Sequence, residues 1–306
     1  MSTQTPSNRQ LQNRASLGIM LMILGLALYP LSDAFIKHLM GTYSFSQTSF
    51  LRSAIRLIPL LISVHFQGGI KETLATRRSG KHAVRLIVSL IYTASFMFAL
   101  SEVPLTTIYT LSYTSSLFMI MLSAFYLKER ISWDRWFAVM MGMVGVIIAM
   151  RPGSNLFQMA ALIVLAGTFL GALQKILIRD LVKTEHSLSI AIYPNVVMLL
   201  VCLPGILTGW TPMPLEHWAL FGIVGIVTAA AQYAMAQALR FAPASALAPI
   251  DYSTYFWVLA LDALWWNKKP DLFMIVGAVI IVMSNLYILY RTRQTQQDTL
   301  PSKASS

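Results

Sequence analysis

The sequence predicts an all-α integral membrane protein with ten transmembrane helices, arranged as two inverted repeats of five helices. Three observations lead to this prediction: the composition, a series of ten long apolar runs, and an internal similarity between the two halves. The chain of 306 residues is 56% hydrophobic and only 11% charged, whereas soluble domains carry roughly 25% charged residues. A soluble protein of this composition could not cover its surface with polar side chains.

The apolar runs have the length that a helix needs to cross a bilayer, which is about 20 residues. Short joints with helix-breaking residues separate them, for example Gly68-Gly69, Pro152-Gly153 and Pro270. These joints leave no room for a separate soluble domain. The ten predicted spans are 16–36, 47–66, 83–102, 105–126, 134–150, 158–178, 188–208, 216–238, 244–264 and 272–290.

The distribution of Lys and Arg predicts the orientation in the membrane. The net charge is +11, and the basic residues lie in short loops, so we attribute them to a bilayer and not to nucleic acid. With the N-terminus inside, most of these residues, including those of segment 71–85, fall on the cytoplasmic side. The outer ends hold Lys37, Arg151, Lys268 and Lys269. We therefore expect a multi-pass protein of a bacterial-type inner membrane with both termini cytoplasmic.

An offset of 139 residues brings parts of the two halves into register. It places Ala99, Leu100, Pro104, Tyr113, Leu122 and Ala124 on Ala238, Leu239, Pro243, Tyr252, Leu261 and Ala263. It also places Ser112 on Asp251, and an offset of 142 places Gly25 on Gly167. Chance similarity between apolar segments is the alternative explanation.

Five spans per repeat is an odd number, so the second copy must cross the membrane in the opposite direction. Inverted repeats are typical of secondary transporters, in which the substrate lies near the midplane between the repeats. The predicted organisation is a cytoplasmic tail at 1–15, repeats at 16–151 and 152–291, and a second cytoplasmic tail at 292–306.

The chain contains the motifs A-L-S-E-V-P-L-T-T-I-Y-T-L-S-Y-T-S-S-L-F at 99–118, L-K-E-R at 127–130, G-M-V-G at 142–145, A-L-A-P-I-D-Y at 246–252 and P-D at 270–271. Together these motifs resemble those of the drug/metabolite transporter superfamily, in its EamA-type ten-helix branch. The pattern is similar to S-adenosylmethionine and riboflavin uptake carriers and to amino-acid exporters of that fold. One departure is Lys268. The family usually has a glutamate at this position before the Pro-Asp of the second half, and Glu129 is the corresponding residue of the first half.

Asp251 is the first candidate for substrate binding because it lies inside the ninth predicted span. A carboxyl group at that depth costs on the order of 3 kcal/mol. It could bind a proton, or pair with a cationic substrate when ionised; a structural hydrogen bond is the alternative. Aromatic residues near it and in the related fourth span could form a wall that holds a planar ring, or could serve only in packing: Tyr252, Tyr255, Trp257, Tyr109 and Tyr113.

Two pairs of charged residues four positions apart occupy single helix faces in the first two spans. Asp33 and Lys37 share a face of span 1, and Arg52 and Arg56 share a face of span 2. Asp33 is expected to pair with Arg52 or Arg56. The functional interpretation is an outer vestibule that holds an anionic group, and the alternative is snorkelling with a structural ion pair.

Further candidates lie in spans 3, 6 and 8. Tyr92 and Phe96 share a face of span 3, and the resemblance implies that this span lines a central cavity. Lys175 in span 6 could bind substrate or snorkel towards the interface. Gln232 in span 8 could bond a ligand or a neighbouring helix.

The sequence thus predicts a secondary transporter for a small polar or amphipathic metabolite, coupled to a proton or a counter-substrate. We expect no cofactor and no metal, because no ATP-binding, metalloprotease or nucleophile-elbow motif occurs. The alternatives are a membrane enzyme acting on a lipid-linked substrate, which would need such a constellation, and a passive channel, which would need a continuous polar stripe.

Overall fold

The predicted fold class is confirmed by the arrangement of helices. The computed structural model describes residues 8–66, 73, 76, 78–126, 131–150, 157–181, 184–242 and 247–298, and this part of the chain contains helices and no strand. Nine helical stretches within these ranges are long and apolar enough to cross a membrane. Each overlaps one of the ten predicted spans.

Within the described residues, the first half of the chain forms six helices and the second half five, with a 3-10 turn. The helices of the first half are α1 (Asn8–Met40), α2 (Phe45–Phe66), α3 (Ser79–Glu102), α4 (Leu105–Ser112), α5 (Ser115–Tyr126) and α6 (Trp133–Met150). Those of the second half are α7 (Phe157–Leu181), α8 (Ser187–Thr208), α9 (Leu215–Phe241), a 3-10 turn (Ala248–Ser253), α10 (Thr254–Trp266) and α11 (Leu272–Asp298).

The helices differ in extent from the predicted segments at three places. Helix α1 begins inside the segment predicted as a tail, at Asn8, and α11 continues to Asp298. The span predicted at 244–264 is not one continuous α-helix, because a 3-10 turn precedes α10. Pro249 lies in that turn and has no N–H to donate to an α-helical hydrogen bond. The boundary predicted between 151 and 152, the motif at 127–130 and positions 244–246 lie outside the described residues.

The two interrupted spans break at corresponding positions. Helix α5 begins at Ser115 and α10 begins at Thr254, which are the positions that the 139-residue offset pairs. The residues just before them, Tyr113 and Tyr252, are also paired by this offset. Their rings contact each other with centroids 5.2 Å apart. The break is therefore a common property of the two halves, which meet at this point.

Small residues bring the long helices close together. Helix α1 packs along α9 and α7 along α3. Gly25 of α1 faces Met235 of α9, and Gly167 of α7 faces Ser95 of α3. Gly25 and Gly167 are equivalent under the 142-residue offset, and so they make equivalent contacts in the two halves. Small residues at helix contacts are typical of membrane bundles, where close packing replaces the hydrophobic effect.

Two charged side chains hold the junction between α3 and α4. Asp262 of α10 accepts hydrogen bonds from the backbone N–H groups of Leu105 (3.1 Å) and Thr106 (2.7 Å) and from the Thr106 hydroxyl (2.6 Å). Lys37 donates to the carbonyl oxygens of Leu100 and Val103, both at 2.6 Å. The acid thus caps the start of α4 and the base caps the end of α3, as the helix dipoles favour.

We predict that Asp262→Asn destabilises the protein by about 1–3 kcal/mol, since the amide loses one acceptor and directs its own N–H groups at backbone donors. Glu102→Gln, an exposed acid at the same junction, is the matched control and should have little effect. Thermal unfolding of the purified proteins in detergent measures the difference. Equal melting temperatures for the two variants would show that the Asp262 cap is unimportant.

A second prediction concerns the contact between α6 and α11. A Cβ atom on Gly277 would lie 2.5 Å from the Gly145 carbonyl oxygen and 2.7 Å from the backbone nitrogen of Ala149. Because backbone atoms must then move, we expect Gly277→Ala to cost about 1–3 kcal/mol. Gly222→Ala adds its Cβ in open space and should leave the melting temperature unchanged or slightly raised. A Gly277→Ala protein as stable as wild type would contradict this packing.

Candidate functional site

A buried ion pair connects the first helices of the chain. The guanidinium group of Arg52 on α2 donates a hydrogen bond to the carboxylate of Asp33 on α1. Only 7% of Arg52 and 3% of Asp33 is exposed. The hydroxyl of Tyr109 on α4 donates to the other Asp33 oxygen at 2.9 Å. The pairing expected from the two helix faces is therefore present, and Tyr109 belongs to the same polar cluster.

The other side of Arg52 faces α3. Its Nη1 lies 3.1 Å from the sulfur of Met97, and its guanidinium carbon lies 5.8 Å from the centroid of the Phe96 ring. Phe96 is thus in contact with Arg52 of the predicted ion pair. A guanidinium over an aromatic face is stabilised by the ring quadrupole, more strongly where water is excluded.

A cavity of about 260 Å³ extends from this ion pair between α2, α3, α7 and α8. Three arginines line it: Arg52, Arg56 and Arg85. Neutral polar and aromatic side chains complete the wall, and they include Ser49, Ser53, Ser89, Tyr92, Gln174 and Asn195. Tyr92 therefore lies at a cavity. The sequence predicts Arg85 as a charge on the cytoplasmic side, yet only 2% of it is exposed.

Asp251 and Lys175 form a second polar region at the break before α10. Lys175 donates to the hydroxyl of Ser115 at 3.0 Å and lies close enough for its charge to act on Asp251. One carboxylate oxygen of Asp251 is buried without a hydrogen-bond partner among the described residues. The contact between the Tyr113 and Tyr252 rings lies at the same break. The structure therefore brings four predicted site residues together here.

Asn285 of α11 was not predicted, and it joins this region to the break between α4 and α5. Its Nδ2 donates to the carbonyl oxygen of Tyr113 at 3.0 Å, and Ser116 donates to its Oδ1. The Tyr113 carbonyl oxygen, where the helix is interrupted, also lies 2.9 Å from the Ser116 hydroxyl. A single asparagine in an otherwise apolar span was the signal that could have identified it.

The remaining predicted residues have different surroundings. Gln232 is exposed on α9 and donates to the hydroxyl of Tyr29 at 3.4 Å. Lys37 caps α3, so its ammonium is already bonded. Tyr255 packs against the main core, as Tyr109 and Tyr113 do, and Trp257 contacts Phe256.

A further cavity, of about 390 Å³, lies where α4, α10 and α11 meet. Asp262, Lys268, Lys269 and Asp271 contribute to its lining. The Asp262 carboxylate is already occupied by three hydrogen bonds. Lys268, which departs from the family pattern, is one of the lining residues of this cavity. It lies far along the chain from Arg52, Arg56 and Arg85.

Known proteins similar to this chain are transporters. Residues 16–151 and 158–290 each match the sequence model of the EamA-like transporter family. The S-adenosylmethionine uptake transporter of Rickettsia bellii is 29% identical over 91% of this chain and 95% of its own length. The pseudopaline exporter CntI of Pseudomonas aeruginosa strain UCBPP-PA14 is 25% identical over 90% of this chain and 97% of its own.

The chain has two further similarities, one to a named transporter and one to a solved structure. The riboflavin transporter of Vibrio cholerae is 27% identical over 75% of this chain and 78% of its own length. A crystal structure of a protein 15% identical in sequence superposes with a TM-score of 0.61 over 92% of this chain and 99% of that one, which shows the fold alone. Since the family model covers both halves of the sequence, the chain belongs to the EamA-like transporter family.

Proposed function

We propose that the protein is a secondary active transporter that moves a small metabolite across the inner membrane by alternating access. The match of both halves to one transporter family carries this proposal. The buried charges support it, because ionisable groups at membrane depth are costly and are usually kept for substrate or ion pathways. Asp33, Arg52 and Asp251 are three such groups.

The substrate is a polar or amphipathic molecule of the S-adenosylmethionine, riboflavin, amino-acid or amine class. The names of the relatives support this range, since they include S-adenosylmethionine uptake and riboflavin transporters. The matched relatives include an exporter as well, so the fold serves both directions of transport. The two polar regions described above are the places where such a molecule would contact charged groups.

Asp251 is proposed as the residue that couples transport to a proton or that contacts a cationic group. Its support is the unpartnered carboxylate oxygen, the nearby Lys175 ammonium and the location at a helix break. Interrupted helices place free backbone groups and ionisable side chains near the substrate in many secondary transporters.

We expect Asp251→Asn to lower the rate of saturable uptake of S-adenosylmethionine or riboflavin into proteoliposomes by at least about tenfold, or to abolish its dependence on pH. A tenfold loss corresponds to about 1.4 kcal/mol of transition-state stabilisation. Glu216→Gln, an exposed acid at the start of α9, is the matched control and should transport normally. If Asp251→Asn keeps both the rate and the pH profile of wild type, Asp251 has no part in transport.

The orientation is tested by labelling single cysteines in intact cells. The native Cys202 is buried and free, and we would replace it with serine. With both termini cytoplasmic, a membrane-impermeant maleimide should label Thr42→Cys, in the joint between α1 and α2, and should not label Gly80→Cys at the start of α3. Both positions are exposed. The reverse labelling pattern would overturn the proposed orientation.

A further inference from the structure

The cavity between α2, α3, α7 and α8 has an excess of positive charge. Arg52 is neutralised by Asp33. Arg56 and Arg85 also line the cavity, and neither has a carboxylate within 4.0 Å in the part of the chain that the structure describes. Because burying an uncompensated charge is expensive, two such arginines in one cavity indicate that a negative group binds there.

The hydrogen-bond donors in the cavity lead to the same conclusion. The Nε atoms of Arg52, Arg56 and Arg85 and the Nη1 of Arg85 are buried without a partner. Arg85 uses only its Nη2, which donates to the carbonyl oxygen of Ile190. A buried unsatisfied donor costs about 1–3 kcal/mol, so a ligand that accepts several hydrogen bonds would be stabilised here.

The neutral side chains around the arginines are already in use or are donors themselves. Gln174 donates to the hydroxyl of Ser89 at 3.1 Å, and Asn195 donates to the carbonyl oxygen of Ala191 at 2.9 Å. The hydroxyl of Ser49 is buried without a partner. A guanidinium binds planar oxyanions through two parallel hydrogen bonds. The chemistry that fits is an oxyanion, either a carboxylate or a phosphate.

The size of the cavity limits how much of a ligand it holds. Its volume of about 260 Å³ lies below the roughly 300–1,000 Å³ of pockets that enclose a whole drug-sized molecule. The cavity therefore suits one end of a metabolite, such as the carboxylate end of an amino acid.

We infer that Arg56 and Arg85, beside the Asp33–Arg52 pair, bind the carboxylate of the transported molecule, so that the substrate is a metabolite with an amino-acid carboxylate and not a flavin. This inference rests on the proposed transport function and narrows its substrate class. S-adenosylmethionine carries such a carboxylate, whereas riboflavin has no anionic group. The phosphate of an anionic lipid is the other source of an oxyanion.

The test compares two probes that differ only in the carboxylate. Binding of S-adenosylmethionine and of its decarboxylated analogue, which keeps the adenosine, sulfonium and amine groups, is measured with the full-length protein in dodecyl maltoside. We expect S-adenosylmethionine to bind at least tenfold more tightly than the analogue. Arg56→Gln should reduce this preference to less than twofold, since it removes one of the two uncompensated charges.

Arg56→Gln is expected to fold because no carboxylate loses its partner. Arg85→Lys, which keeps the charge but loses the planar donor set, serves as the second variant and should retain an intermediate preference. Arg240→Gln, an exposed arginine at the end of α9, is the control and should keep the full preference. Equal binding of both probes by the wild-type protein, or a preference that survives Arg56→Gln, would overturn the inference.

Two further measurements, lipid competition and uptake, distinguish a carboxylate site from a lipid phosphate site and from a flavin transporter. Competitive displacement of S-adenosylmethionine by phosphatidylglycerol in wild type, and not in Arg56→Gln, would assign the cavity to a lipid phosphate and overturn the inference. Uptake of riboflavin and not of S-adenosylmethionine into proteoliposomes would leave the transporter proposal intact and refute the carboxylate site. If no compound of the S-adenosylmethionine, riboflavin, amino-acid and amine classes is taken up, the proposed function fails, and the binding comparison in detergent decides the carboxylate site by itself.

Discussion

The buried ion pair between Asp33 and Arg52 is the interaction on which the arrangement of the first helices depends. Either charge, buried in an apolar bundle without the other, would strongly destabilise the fold. Removal of one partner of a buried pair typically costs about 3–5 kcal/mol. The pair joins α1 to α2, Tyr109 adds α4, and Met97 adds α3. Asp33 bonds Arg52 and Tyr109, and neither Arg56 nor Arg85 has a carboxylate within 4.0 Å among the described residues.

The interruptions in the helices also require polar side chains, which bond the backbone groups at each break. A broken helix exposes N–H and carbonyl groups that lipid cannot satisfy. At the junction of α3 and α4 two charged side chains supply the missing partners, Lys37 from α1 and Asp262 from α10. At the break between α4 and α5 a neutral amide, Asn285, does so. Polar residues of the apolar spans thus bond backbone groups at the helix breaks.

Much of the fold could be predicted because it depends on local patterns. Apolar runs and breakers located nine spans, and two faces with a four-residue spacing were enough to suggest that Asp33 pairs with Arg52 or Arg56. Long-range partners could not be predicted in this way. Asp262 lies in the same predicted span as Asp251, but it bonds the backbone of Leu105, 157 positions away, which no periodicity shows.

Arg85 shows a different limit of the sequence. It lies near the start of a predicted span, where arginines usually extend towards water, and nothing in the local pattern distinguishes a buried guanidinium from a snorkelling one. The bonds of Lys37 to Leu100 and Val103 could not be predicted for the same reason, since they depend on how α1 meets α3. The role of a long basic side chain is set by its tertiary neighbours.

The contact between Tyr113 and Tyr252 has a consequence for the motion of a protein with two related halves. A residue that touches its own counterpart lies next to the axis that relates the two copies. When two halves exchange their conformations, positions far from that axis change neighbours, while positions on it keep the same surroundings. The tyrosine pair would therefore keep its neighbours throughout the proposed alternating-access cycle, while the outer and inner ends of the helices open and close in turn.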